Sequence, residues 1–271
     1  MCAKKKNLIV GGTSGYGLSI ARNLTLLEQC VTVAGQTKRD EISVLSSVSA
    51  SKEALQRLRY LSFDLRDETA LKEAETSFRV ENNHLDRLII SAAIPQGTAR
   101  SLREYTDTEF KDLMDINFLS QFRCFQIFSD LLRESPNGGE VYFFTSTAGW
   151  NNTQGYAAYN ISKSCLNALI VNLGEDKWTK ANNIKIFGID PREARTGMTR
   201  HSSIHPDHII PLFNCINKLK DFLPSGTIFS PDGWIKDFIG HPNQRFNLFE
   251  LCNQHGISVE NYDRIKYELQ E

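Results

Sequence analysis

Val141-Tyr-Phe-Phe-Thr-Ser-Thr-Ala-Gly149, followed after a polar loop by Tyr159-Asn-Ile-Ser-Lys163, decides how the rest of the chain is read. The first piece is apolar and β-prone and ends in hydroxyls, which predicts a buried strand exposing Ser146 at its C-terminal end. The second piece opens a helical pattern in which Tyr159 and Lys163 stand at i and i+4, one turn apart on one face. A phenol titrates near ~10. An ammonium one turn away is expected to stabilise the phenolate and lower that value. Ser146 could hydrogen-bond the same substrate oxygen that Tyr159 protonates, a device suited to carbonyl and alcohol chemistry. A Y-x-x-x-K pair alone also occurs on many solvated helices, so the reading rests on what surrounds it.

The chain has 271 residues, enough for one large α/β domain with a full core. Its formal net charge of -1 gives no basic surplus that would point to nucleic acid or an anionic membrane. Six cysteines, at positions 2, 30, 124, 165, 215 and 252, show no metal spacing and read as reduced thiols of a cytoplasmic protein. The apolar run after Lys4-Lys5-Lys6 is only Leu8-Ile9-Val10, too short for a signal peptide or membrane span.

From the N-terminus, Asn7–Val10 is a short strand running into Gly11-Gly-Thr-Ser-Gly15-Tyr-Gly17 and then a helical pattern, Leu18 to Leu27. Strand, glycine turn and helix together form a phosphate cradle: glycines permit the tight turn, and the helix N-terminus meets the charge. Further strands are read at Cys30–Gly35, Arg59–Phe63, Asp86–Ser91, from Val141, at Asn183–Ile189 and at Leu223–Phe229. Residues 39–57 are mixed polar and helical. Asp67 caps a charged helix to Asn83. A long helix, 106–132, carries more apolar and aromatic residues than one core-facing stripe needs, which suggests an oligomer interface. Asn117 stands in its middle, where asparagine is a poor helix former. Strands alternating with helices predict an α/β fold with a doubly wound, parallel, seven-stranded sheet. Residues 1–233 form that domain, with a polar lid at about 191–222. Residues 234–271 form a helical extension packed on it, with amphipathic segments at Phe246–Cys252 and Tyr262–Leu269. His201, His205 and His208 in the lid have near-helical spacing but no acidic or cysteine companions, so no metal site is read.

These motifs in this order resemble the classical short-chain dehydrogenases/reductases, over roughly residues 6–233. The resemblance implies a Rossmann-type sheet with helices on both faces and hydride transfer between a nicotinamide and a carbonyl or secondary alcohol, as in a ketoreductase. Gly11, Gly15 and Gly17, with Thr13, Ser14 and Tyr16 between them, match the cofactor turn. Asp64, followed by Leu65, matches the aspartate that contacts adenine. Ala92 and Ala93 follow the fourth strand beside the nicotinamide half. Asn117 matches the asparagine that holds a proton-relay water. Ser146, Tyr159 and Lys163 match the catalytic serine and tyrosine–lysine pair, with Lys163 also holding the nicotinamide ribose. Pro191 and Thr196 match the segment that seats the carboxamide. The chain departs from the family at Val10, at Ile90-Ser91-Ala92-Ala93, and at Pro191-Arg192 where proline–glycine is usual; Ala93 and Arg192 need more room than glycine.

Cofactor choice is read from the second strand. An NAD site places a carboxylate about 20 residues after the glycine turn. Here that count lands at Gly35, in Ala34-Gly35-Gln36-Thr37, with no carboxylate. Lys38 and Arg39 follow and could pair with a 2′-phosphate, which favours NADP(H) over NAD(H). The remaining expectations are a small-molecule carbonyl or alcohol substrate and a homodimer or homotetramer. An epimerase using the same transfer and a catalytically silent nucleotide-binding protein are the alternatives.

Overall fold

Lys6–Val10 (β1) pairs in parallel with both Cys30–Gly35 (β2) and Arg87–Ile90 (β4), which makes it the centre of the sheet. The computed structural model describes residues 4–36, 56–199, 201–233 and 247–258. Leu58–Ser62 (β3) lies outside β2, and Glu140–Phe144 (β5), Lys185–Ile189 (β6) and Thr227–Phe229 (β7) follow beyond β4. The seven strands run in the order β3-β2-β1-β4-β5-β6-β7, all parallel.

Both faces of this sheet are covered, so its inner strands are apolar on both sides rather than alternating. Odd and even positions feed different cores. Ile9, Ile89, Tyr142 and Phe144 pack beneath Gly15–Leu26 (α1) and Ile210–Leu219 (α7). Leu8, Val10, Leu88, Ile90, Val141 and Phe143 pack under Glu68–Glu81 (α2), Ser120–Arg133 (α4) and Ala157–Glu175 (α5). As expected, the Asp67 side chain caps α2, accepting from the amides of Thr69 and Ala70.

The helix read at 106–132 is three pieces: Asp107–Met114 (α3), a π-helical turn Asp115–Leu119, and α4. A Thr106–Glu109 capping box starts it. The turn inserts an extra residue per winding where Asn117 stands, which explains an asparagine the helical pattern does not account for. Short α6, Lys177–Ala181, precedes β6. Leu248–Gln254 (α8) is capped by Asn247 and buries Leu248, Phe249 and Cys252 in the α1/α7 core. Residues 39–55 and the segment Tyr262–Leu269 lie outside the described residues.

The edge of the sheet where the strands start carries a buried charge network. Arg87 Nε donates to Glu140 at 2.7 Å, Lys5 Nζ at 2.8 Å and the Tyr142 hydroxyl at 3.0 Å. Burial opposes the Glu140 charge, yet Arg87 and Lys5 hold its carboxyl below the usual value. The edge where the strands end is left to loops, and the winding direction reverses between β1 and β4. Ligands of such sheets bind in the crevice at that reversal.

Candidate active site

A cavity of about 1040 Å³ opens along the C-terminal ends of the strands, at the upper end of the ~300–1,000 Å³ common for ligand sites. The glycine turn forms one wall. Gly11 has φ +82° and leaves no room for a side chain: a Cβ there would lie 2.5 Å from the Ala92 nitrogen. A Cβ at Gly17 would lie 2.4 Å from Ser91 Oγ, so α1 sits tight on the sheet. Ser14, at the N-cap of α1, makes no side-chain cap bond, and the first turn carries no acidic residue. The helix end therefore offers amides and a hydroxyl to an anion, with no carboxylate in its own first turn. A dinucleotide's pyrophosphate fits this set. Thr13, Tyr16 and Thr196 line the cavity beside the turn.

At the other end stands Asp64. Its carboxylate takes a bidentate pair from Arg66, Nη2 at 2.7 Å and Nε at 3.1 Å, and a bond from Gln36 Nε2 at 3.1 Å. The Arg66 hydrogen bonds hold its pKa down at about 2. Leu65 completes that wall. Sequence reading missed Arg66 and Gln36. Asp64-Leu65-Arg66 could have suggested a bidentate pair, but Gln36 meets Asp64 only through strand pairing. Lys38 and Arg39 lie outside the described residues.

The middle wall follows β4. Ala92, Ala93 and Ile94 line it, and Asn117 clamps Ile94 from behind: Oδ1 accepts from the Ile94 amide at 2.9 Å, and Nδ2 donates to its carbonyl at 3.0 Å. Nδ2 also reaches Ser162 Oγ at 3.2 Å. The Asn117 side chain thus braces the wall from outside the cavity.

β5 and α5 bring Ser146, Tyr159 and Lys163 together at the same cavity. The Ser146 hydroxyl accepts from the Ala148 amide at 3.1 Å and lines the cavity with the Tyr159 phenol, whose pKa it draws down. Lys163, fully buried, donates to the Phe144 carbonyl at 2.9 Å and lies 5.8 Å from the Tyr159 ring centre. One expectation needs correcting here. The sequence reading has Lys163 lower the Tyr159 pKa, but burial pushes the phenol up to about 12 and outweighs the Ser146 hydrogen bond that pulls it down. Burial likewise pushes Lys163 down to about 8, against the attraction of buried Asp190. The ammonium is directed at the Phe144 carbonyl, and desolvation is the larger effect on both groups. Gln96, whose Oε1 accepts from the Tyr159 amide at 3.3 Å, is a further neighbour the sequence did not announce.

The lid is the second correction. Among the described residues, 191–199 and 201–205 lack regular secondary structure and only some of them, Pro191, Thr196 and His201 included, line the cavity; from Pro206 the chain turns into α7, whose Leu212, Phe213 and Ile216 are core. Its three histidines diverge: His201 faces Glu193, His205 faces Asp207, and buried His208 lies 2.9 Å from the Pro191 carbonyl oxygen. Arg192, where the family has glycine, keeps a glycine-like φ of +56°.

Comparison with known proteins identifies the family and agrees with the fold. The short chain dehydrogenase family matches residues 5–206, and the chain belongs to that family. It is accordingly an NAD(P)-dependent oxidoreductase. Benzil reductase ((S)-benzoin forming) of Saccharomyces cerevisiae is 23% identical over 205 residues, 71% of this chain and 73% of that one. The 2-dehydro-3-deoxy-D-gluconate 5-dehydrogenase of Formosa agariphila is 28% identical over 195 residues, 71% of this chain and 70% of that one. Among solved structures, a Shigella flexneri 2a protein of the short chain dehydrogenase type, complexed with NADP, shares the fold with a TM-score of 0.75 at 20% identity, covering 84% of this chain and 96% of its own. A Salmonella enterica serovar Typhi short chain dehydrogenase gives 0.76 at 18%, with coverage of 84% and 96%.

Proposed function

We propose that the protein reduces the carbonyl group of a small metabolite, or oxidises the matching secondary alcohol, with Tyr159 handling the proton. The observation that carries this reading is the meeting of Ser146, Tyr159 and Lys163 in one cavity whose far wall is the glycine turn. When bound, the nicotinamide supplies or accepts the hydride. Tyr159, still protonated at neutral pH, donates its proton to the substrate oxygen in reduction and recovers it in oxidation. Ser146 donates its single hydroxyl hydrogen to that oxygen. Lys163 supplies positive charge beside that phenolate and contacts the ribose. Asn117 holds the Ile94 wall and supports the water path to Lys163. Gly11, Thr13, Ser14, Gly15, Tyr16 and Gly17 hold the pyrophosphate, Asp64 and Leu65 the adenine, and Ala92, Ala93, Pro191 and Thr196 the nicotinamide half.

NADP(H) is favoured because neither Gly35, which ends β2, nor Gln36 after it carries a carboxylate to accept from a ribose 2′-hydroxyl, and the neighbouring Asp64 carboxylate is taken by Arg66 and Gln36. Five free thiols among the described residues support a reducing, cytoplasmic setting. Oxidation of NADPH and NADH over a panel of carbonyl metabolites tests the reading, with Tyr159→Phe as control. That variant is expected to keep cofactor binding and lose turnover by at least ~10²-fold. Retention of more than about a tenth of the wild-type rate removes Tyr159 from its role.

A further inference from the structure

Arg192 occupies a backbone region where glycine is at home and a long L side chain is strained. Such a residue persists where its surroundings over-determine it, and here three contacts do. Its amide donates to Asp190 Oδ1 at 3.2 Å, its carbonyl accepts from the Tyr16 hydroxyl at 3.0 Å, and its Nη2 donates to Asp232 Oδ2 at 2.6 Å. Asp232 is itself held from the other side. Ser230 Oγ donates to its second oxygen, and its carbonyl accepts from Asn247 Nδ2 at 2.8 Å. Asn247 is buried and caps α8, while the Leu248 amide donates to the Gly233 carbonyl at 2.8 Å. Contacts thus run without a break from α8, through Asp232, to the Pro191–Arg192 wall of the cavity that Tyr159 also lines.

We propose that Arg192 and Asp232 are a positioning pair, through which residues 247–258 set how tightly the cavity holds the cofactor. The proposal rests on the dinucleotide reading given above. The bland alternative is a surface ion pair of little worth, since the two side chains are 35% and 28% exposed. A surface pair, however, needs no left-handed arginine; glycine would meet the backbone geometry without strain. Arg192 also does more than pair. Its carbonyl anchors Tyr16, whose ring stacks on Phe144 at 5.7 Å and meets the His208 ring edge-on at 5.9 Å, and His208 reaches the Pro191 carbonyl. Fixing Arg192 therefore fixes both Pro191 and Tyr16, two residues of the wall.

The test uses the full-length protein, fluorescence titration with NADPH and NADH, and thermal melting. Arg192→Gly and Asp232→Asn should each weaken binding of the preferred cofactor by roughly tenfold, and the double variant no further than the weaker single one, because both break one link. Arg192→Lys should recover most of the loss. Arg192→Gly should melt no lower than wild type, since it relieves the strained φ. Wild-type affinity in either single variant, additive losses in the double variant, or a loss of affinity accompanied by a lowered melting temperature in Arg192→Gly would overturn the positioning role. A wild type that binds neither NADPH nor NADH would overturn the dinucleotide reading and this proposal with it; binding by wild type separates failure of the second from failure of the first.

Discussion

Lys163 shows what the chemistry costs the protein. It is fully buried, and its pKa falls from 10.5 to about 8. At ~1.36 kcal/mol per pH unit that gap is worth roughly 3 kcal/mol against the charged form in the folded state. Below pH 8 both states hold the proton and the penalty is full. Between about 8 and 10.5 the folded protein has released a proton that the unfolded chain still binds, so stability gains with rising pH in that window. Lys163→Met removes the charge and also the donor to Phe144, which returns about 1–2 kcal/mol of the gain. The variant is expected to be inactive yet about 1–2 kcal/mol more stable at pH 7, with the advantage vanishing by pH 10.5, as read by denaturant melts across that range. A variant less stable at pH 7, or a difference indifferent to pH, would refute this. The i,i+4 spacing made the partners legible in the sequence. Their protonation was not legible, because desolvation depends on what β5 and β6 pack around them.

The π-helical turn between α3 and α4 marks a different limit. Asn117 was legible as an anomaly in a helical run, but nothing in the sequence names Ile94 as the backbone it clamps, 23 residues earlier. Asn117→Ala leaves the Ile94 amide and carbonyl without their side-chain partner. It should cost about 2–3 kcal/mol in a urea melt and weaken cofactor binding, because Ile94 lines the cavity; unchanged stability would show the clamp to be idle. Strand positions were read closely where apolar runs end in punctuation. β7 proved shorter than the stretch from Leu223 because Gly226, at φ +86°, turns the chain just before Thr227. The apolar surplus of 106–132 is accounted for in part by one core, which takes Phe125, Phe128, Leu131 and Leu132, but Leu119 on the turn stays 45% exposed and Ile161 on α5 37% exposed. A homodimer or tetramer covering these helices is the expected state. Sedimentation at micromolar concentration should show it, and Leu119→Arg with Ile161→Arg should yield monomers; a monomeric wild type would refute the assembly.

Across the whole molecule, charge handling for stability and for catalysis sits at opposite edges of the sheet. Arg87, Glu140, Lys5 and Tyr142 share partners with one another where the strands begin, while the cavity lies where they end. Arg87→Leu strands Glu140 without its closest cation and is expected to cost about 3–5 kcal/mol. The folded fraction should bind cofactor as wild type does, and the cost should add to that of Asn117→Ala, since the two sites share no partner. A calorimetric loss under about 1 kcal/mol would show that Lys5 and the more distant Lys220 suffice for Glu140.

The strand order also bears on how the protein is made. Each strand, as it leaves the ribosome, pairs with one already present: β2 with β1, β3 with β2, β4 with β1, and β5, β6 and β7 each with the strand just before. Among the described strands none waits for a later partner, so the sheet can grow vectorially during synthesis. The nucleotide-cradling half, β1 through β4, can therefore assemble while Tyr159 and Lys163 are still inside the tunnel. A nascent chain would hold the means to bind before it holds the means to react, and free dinucleotide could steady it at that halfway point.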